Sequence, residues 1–573
     1  MNETSSGLTD AISTDTPAAG ARGQLGHPEA VRHTQRLTRQ FHSVGDHAWC
    51  LVGNGLSNQT FIDAPEGIIA IDTGECVEEM RAAIAALREH TSKPIVACMY
   101  THFHYVAGTR AIVEENGVRE LPIYGHAGIE ANRLRFGGEV APASSRGLVH
   151  QFGILLPDSG ADGLLHCGLG LFFRNPGHAP YTPGYLPPTH TFSEPVTLSI
   201  AGLTVECTPA PSDATDSVTL WFPELGVCVN NLLWPALFNI YAIRGEEYRD
   251  PRIVLRGLDH MLSLDARALI GAHGPPISGE EVRQTIIDYR DAIQFIWDQT
   301  VRLVNRGMTL SEVTAAVHLP ERFQRSYCTR QLYGLVEHHV RQIHGGLFGW
   351  FDGDESHLFP LSTTERANRM VAGFGGREPV RAQTRQAIDA GDYRWALELG
   401  SWLVRGDAAE ATDRALLASA LRGVAQHTPS ANLRNWCLTR ALDLEGTLSL
   451  DRFHVHRFSY GEVMASPPTR FIPVLRVLLD PGRSAGMDEE LVWQFDTGER
   501  SGLRIRHPVA VPTHGDTATL AMTLSHATWA ALLGGRTTLE KALSDDSVTT
   551  DGSVDRLRRF FACFDHPSFQ GTS

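Results

Sequence analysis

Thiolate chemistry is the first thing this 573-residue sequence withholds. Its nine cysteines stand singly between Cys50 and Cys563 with no Cys-x-x-Cys pair, which fits neither a disulfide framework nor a cysteine-ligated zinc site. Basic charge is also short. Fifty Lys and Arg stand against 65 Asp and Glu, a formal net charge of -15, which argues against a general nucleic-acid binder because phosphates need a basic face. No window approaches the ~20 uncharged apolar residues of a membrane-spanning helix. The opening stretch, MNETSSGLTDAISTDTPAAG, has neither a basic start nor an apolar run, so a cytoplasmic chain without export signal is expected. The clusters Gly53-Asn54-Gly55, Gly345-Gly346 and Gly534-Gly535 lack the GxGxxG or GxxxxGK spacing of a phosphate cradle and read as turns. What the chain does have is length for about three or four domains at roughly 150 residues each. It also has 26 histidines, several clustered where metal ligands can sit.

Four parts follow from the patterning. Residues 1–28 are rich in Ser, Thr, Ala, Gly and Asp without apolar periodicity, and disorder is expected there. Over 29–300, short apolar runs alternate with turn residues: AWCLVGN, TFIDA and GIIAID, then the helical VEEMRAAIAALREH, then PIVACM, a layered α/β pattern. Helical periodicity dominates 301–445, where DYRWALELGSWLVRG and DRALLASALRGVAQ look like a helical hairpin. Alternating segments return over 446–573 (LVWQFDTG, SGLRIRH, ATLAMTLS), closed by amphipathic stretches, as in a separate α+β domain.

The chemistry concentrates in YTHFHYVAG. His102 and His104 emerge after the buried run PIVACM, two residues apart, where strand geometry would turn both imidazoles to one side and let them chelate one metal ion. The competing reading is a pair of strand-end histidines bonded to ordinary neighbours. The upstream strand ending in Asp72-Thr73-Gly74, followed by an amphipathic helix, favours the metal.

In that order LVGNGLSNQTFIDAPEGIIAIDTGE, the helix and YTHFH resemble the metallo-β-lactamase superfamily, and within it the alkylsulfatases, which cleave alkyl sulfate esters with two zinc ions. FPELGVCVNN, FNIYAIRGEEYRD, AHGPPISG, LFGWFDGDE and GDYRWALELG continue the resemblance over most of the chain. It implies an α/β fold: a metallo-β-lactamase αββα sandwich, a helical dimerisation domain, and a C-terminal α+β domain like a sterol carrier protein with an apolar groove. It also implies a homodimer and a small anionic amphiphilic substrate.

The departures are as informative. The family pattern THxHxDH becomes Thr101-His102-Phe103-His104-Tyr105-Val106-Ala107, so the Asp-His pair of the second metal is gone. By resemblance, Asp213 supplies the carboxylate of the first metal, Asn231 replaces a bridging glutamate, and His273 matches the second-metal histidine. Asn239 and Arg244 match the sulfate-binding Asn and Arg, and Phe238 stands where the family has His. Asp72 would hold the metal-bearing loop. The resulting set is His102, His104 and Asp213 with one divalent ion, while His273 completes its shell or orients water. Zn²⁺ is the leading choice and Fe²⁺ the alternative, since two histidines and one carboxylate suit both. A metal-dependent hydrolase of an anionic ester is expected. The alternatives are a mononuclear iron oxygenase on the same fold and a non-catalytic binder of lipid-like ligands. Arg244 has a competing role in an ion pair with Glu246 or Asp250. Tyr181 and His178, in NPGHAPYTPGY, are candidates for a loop covering the substrate, and Asn231 for touching it. His338 and His339, on a helical pattern, read as interface or surface residues.

Overall fold

The computed structural model describes residues 11–117, 120–135 and 138–570. All five residues of the strand Gly67–Ile71 are buried. Period-two geometry sends Ile69 and Ile71 to one face and Ile68 and Ala70 to the other. A strand buried on both faces demands a layer on each side, and the fold supplies them.

The first layer of strands runs in sequence order: β1 (Gln40–Val44), β2 (Ala48–Val52), β3 (Gln59–Ala64), β4 (Gly67–Ile71), β5 (Ile95–Met99), β6 (Ile123–His126) and β7 (His190–Phe192). Its first four strands pair antiparallel, and β4 to β7 pair parallel. A second sheet holds β8 (Val196–Ile200), β9 (Leu203–Pro209), β10 (Val218–Phe222), β11 (Val227–Asn230), β12 (Ala268–Gly271) and β13 (Ile277–Ser278). Between the sheets, Val52, Ile62, Ile71 and Met99 pack with Val205, Leu220, Val229 and Ile270 in one core cluster. On the outer face of the second sheet, Trp221, Cys228 and Leu269 meet Val254, Leu258 and Met261 of the helix Pro251–Ser263. They also meet Val282, Ile286, Tyr289 and Ile293 of the helix Glu281–Val304, whose buried residues recur at three- and four-residue spacing. The helix Val77–Arg88 buries Met80, Ala83, Ile84 and Leu87 beside the first sheet. This is the αββα sandwich expected from the sequence.

Helices continue from there, including Thr363–Gly373, Arg377–Asp389, Tyr393–Arg405, Ala411–His427 and Ala431–Leu444. The chain divides into two compact units: one takes in residues through Arg133 together with Gly147–Leu448, the other Leu134–Arg146 with Ser449–Ser573. The second unit is α+β. Its sheet has the order Val509–Thr513, Arg500–Arg506, Asp488–Phe495, Leu520–Leu524, Val548–Thr550. Its interior is filled by Trp493, Trp529, Phe560, Phe561, Phe564 and Phe569.

The N-terminal segment departs from expectation. Residues 1–10 of the expected disordered stretch lie outside the described residues, but 11–28 are ordered. Ala18–Ala19 pairs with Leu25–Gly26, Ser13 N donates to the His427 carbonyl (2.9 Å), and Arg434 donates to Leu25 O (2.9 Å). Hydrogen bonds to distant chain fix this segment, together with the packing of Ile12 against the cluster of Leu417, Leu421 and Leu438. Periodicity does not register such bonds.

Candidate metal centre

Strand direction assembles the site. Asp72 follows β4, His102 follows β5, Asp213 follows β9, Asn231 follows β11 and His273 follows β12. Within each sheet these strands run the same way, so five loops reach one edge of the sandwich.

His102, His104 and Asp213 offer ligand atoms within 4.8 Å of one another. The two histidines are not on a strand, as the spacing first implies. His102 is extended (φ -171°), and Phe103–Tyr105 turns into a short 3-10 helix. The rings stand 4.9 Å apart at 85°. Nε2 of His102 and Nδ1 of His104 are buried without a hydrogen-bond partner, the latter 3.3 Å from Asp213 Oδ2. Burial pushes the His102 imidazole down to about 3, so it is neutral and carries a lone pair. Burial alone would raise the Asp213 carboxyl, but beside His102, His104 and Arg249 it lies well below the ordinary carboxylate range.

Asp72 sets the tautomer of His102. It accepts Thr101 N (2.8 Å) and Thr101 Oγ1 (2.6 Å), and Thr101 Oγ1 lies 2.9 Å from His102 Nδ1. Because the threonine proton goes to Asp72, its oxygen accepts from His102 Nδ1–H, and the lone pair is left on Nε2, aimed at the trio. Asp72 holds a left-handed φ of 56°, a backbone state that costs a non-glycine residue on the order of 1–3 kcal/mol.

Other candidates are already engaged. Asn231, expected against substrate, donates to Asp213 Oδ1 (2.7 Å), lies 3.2 Å from the Ser212 and Ser217 hydroxyls, and accepts from Trp234 Nε1 (3.2 Å). It is a brace for the carboxylate. His273 stands outside the trio: Nδ1 is 3.0 Å from the Leu56 carbonyl and Nε2 is 3.4 Å from the Tyr105 hydroxyl. Arg244 pairs with Glu246, the competing role that the sequence allowed. Tyr181 carries Arg174 5.5 Å over its ring, and no hydrogen bond joins it to the trio among the described residues. Near it His178 Nε2 lies 2.9 Å from the Asn54 carbonyl.

Asn239 stays open: it is 1% exposed, and both amide atoms of its side chain lack partners. The sequence reading missed its neighbour Arg249. This arginine is 5% exposed, donates Nη1 to Asn239 O (2.7 Å), has an unpartnered Nε, and feels the charge of Asp213. A guanidinium keeps its charge even when buried. In the sequence, Arg244 and Arg249 stand among Glu246, Glu247 and Asp250 without a sign of which one is neutralised. Asp216 was missed as well. It is 0% exposed, accepts from Asn132 Nδ2 (2.6 Å), and leaves Oδ2 unpartnered.

Comparison with known proteins places these residues in context. The family model described as alkyl sulfatase dimerisation matches residues 309–447, and that described as alkyl sulfatase C-terminal matches 459–570. A linear primary-alkylsulfatase from Pseudomonas sp. is 33% identical over 522 residues, covering 88% of this chain and 98% of its own length. An (R)-specific secondary-alkylsulfatase from Pseudomonas sp. is 29% identical over 527 residues, 89% of this chain and 78% of its own. The solved structure of the stereoselective inverting sec-alkylsulfatase Pisa1 from Pseudomonas sp. superposes with a TM-score of 0.81 at 26% identity, covering 97% of this chain and 93% of that one.

Proposed function

The chain belongs to the alkylsulfatase family, and from that premise we propose that it is a metal-dependent hydrolase of alkyl sulfate esters working from a single-metal site. The observation that carries the reading is the pairing of an unsatisfied ligand trio with a buried arginine, Arg249, whose Nε has no hydrogen-bond partner and which feels the charge of Asp213.

His102, His104 and Asp213 would hold one divalent ion, a nitrogen-and-carboxylate donor set that suits zinc and also suits ferrous iron. When bound, such an ion polarises a sulfate oxygen and makes a neighbouring water a better nucleophile at neutral pH. Everything else is the work of the chain. Arg249 and Asn239 present a guanidinium and an amide to the sulfate, holding its charge in a water-poor pocket where electrostatic contacts are strong. Asp72 and Thr101 orient the His102 ring, and Asn231 fixes the Asp213 carboxylate. Tyr105 and His273 bond to each other on the other side of the centre. With Val106 and Ala107 where the Asp-His pair would stand, that side supplies no second set of ligands.

One further part of the reading, the oligomeric state, rests on a separate support. A homodimer is supported by the dimerisation family match and by the exposure of Trp350 (75%) and Phe359 (95%) within it. Among the described residues no helix is long and apolar enough to cross a membrane. The test of function is release of inorganic sulfate from decyl sulfate by the zinc-loaded chain. Release that stops on chelation supports the reading; no release from primary or secondary alkyl sulfates by a fully loaded chain overturns it.

A further inference from the structure

Glu79 is a buried carboxyl group to which the metal-centre reading gives no task. It stands in the first turn of the helix Val77–Arg88 and is 2% exposed. Two glycines make room for it, since a Cβ on either Gly55 or Gly74 would collide with its Oε1. Between those backbones Oε2 accepts from Glu75 N (3.1 Å) and Oε1 from Gln59 Nε2 (2.9 Å). A buried carboxyl group is costly to ionise unless hydrogen bonds hold it, and here they arrive from two different segments.

The hydrogen bonds run on from there. Asn54 is fully buried and donates its side-chain amide to Glu79 O and to Gln59 Oε1 (both 2.9 Å). The Asn54 carbonyl accepts Asn175 Nδ2 (2.9 Å) and lies 2.9 Å from His178 Nε2. Two residues further, the Leu56 carbonyl meets His273 Nδ1 (3.0 Å). Asn58 then donates its backbone N–H to Ala272 O (2.8 Å) and its side-chain amide to Gly271 O (2.9 Å) and Gly274 O (2.7 Å). Segment 53–59 is thereby tied to Glu79, to the loop that carries His178 and Tyr181, and to the turn that carries His273. The charged and titratable groups facing the carboxyl are Glu75 beside it, the Cys76 thiol at the helix cap and Arg174 from that loop. Arg174 is exposed, with its guanidinium over the Phe173 and Tyr181 rings. Burial pushes the Glu79 carboxyl up to about 7, against its two hydrogen bonds and the charge of Arg174, so it changes charge near neutral pH.

We propose that Glu79 is a positioning residue whose carboxylate fastens segment 53–59, and through it sets both the loop of Asn175, His178 and Tyr181 and the ring of His273. As pH rises through about 7 the group gains its charge, accepts more strongly from both N–H donors, and draws Arg174 and its loop inwards. The effect on the loop follows from the hydrogen bonds alone. The effect on substrate rests on the sulfate-ester reading of the site.

The test uses zinc-loaded full-length protein and two readouts: hydrogen exchange of the peptide 171–185, corrected for intrinsic rates, and calorimetric titration with decyl sulfonate, which has no ester bond to cleave. In the parent, exchange should slow and sulfonate affinity should rise, each about threefold to tenfold, between about pH 6 and about pH 8. Glu79→Gln, which keeps the shape and one acceptor oxygen but not the charge, should lose that pH response. Glu79→Leu should speed exchange about tenfold at either pH, with KM for decyl sulfate rising more than kcat falls. Should Glu79→Leu fail to fold, Asn175→Leu cuts the chain of bonds at its far end and should speed exchange of the same peptide. A parent without the pH response, a parent-like response in Glu79→Gln, or unchanged exchange in the leucine variants overturns the inference and leaves the hydrolase reading intact. A parent that neither binds the sulfonate nor cleaves the sulfate overturns the hydrolase reading, while exchange of 171–185 still decides the inference.

Discussion

The two sides of the centre are made from the same kinds of side chain and differ in what those side chains are already doing. On one side Nε2 of His102 and Nδ1 of His104 have no hydrogen-bond partner, beside an Asp213 that is held in place by Asn231. On the other, His273 spends Nδ1 on the Leu56 carbonyl and meets the Tyr105 hydroxyl with Nε2. A buried donor or acceptor without a partner costs ~1–3 kcal/mol, so evolution keeps it where a ligand repays that cost. The same contrast separates the two arginines, for Arg244 is paired with Glu246 and Arg249 has no carboxylate on its Nε. Around this centre the engaged groups act as scaffold, and the unengaged ones are the candidate ligands and anion contacts.

Five substitutions test that division. The largest effect is expected for His104→Ala: loss of the bound ion and a fall in kcat/KM of at least about three orders of magnitude, ~4 kcal/mol of transition-state stabilisation. Metal content and sulfate release measured together would show it. Next, Arg249→Met should lower kcat/KM for decyl sulfate about a hundredfold and Arg244→Met less than about tenfold, because Arg244 is already paired with Glu246 whereas Arg249 keeps an Nε without a partner. The reverse ranking would break the comparison at its anion-binding half. Asn231→Ala should weaken metal affinity about tenfold to a hundredfold, read by chelator competition, because the substitution frees Asp213 to turn.

How far the sequence reaches is clearest at these positions. The apolar runs GIIAID and PIVACM became β4 and β5, and VEEMRAAIAALREH became the helix Val77–Arg88, because burial writes periodicity into sequence. His102, His104 and Asp213 were legible from ordered motifs. Arg249 was not, because choosing between two arginines five residues apart requires the path of the backbone around Asn239 and Glu246. Nothing local in YTHFHYVAG points Tyr105 to His273, 168 residues away in the chain, whose Nε2 its hydroxyl meets. Leu134–Arg146 groups with the C-terminal unit through contacts such as Arg470 Nη2 to Leu134 O (2.7 Å), which span more than 300 residues and leave no local pattern.

The smallest effect belongs to the spent side. His273→Phe should keep the bound ion and change kcat/KM by less than about tenfold, since His273 is outside the trio. Its signature is acid stability. Burial holds the folded His273 imidazole to about 4 against an ordinary 6.5, so its contribution is complete above 6.5 and is lost as pH falls towards 4, where the unfolded ring is already protonated. In metal-free protein the parent should therefore lose a few degrees more in Tm between about pH 7 and about pH 4.5 than His273→Phe, from a linkage of at most about 3 kcal/mol. Equal losses would show that His273 is not held neutral.

Elemental analysis of the chain purified without added metal, alongside His104→Ala and His273→Phe, tests the division most directly. The account predicts about one divalent ion per parent chain, retained in His273→Phe and absent from His104→Ala. About two ions per chain, or loss of the ion when His273 alone is replaced, would contradict it.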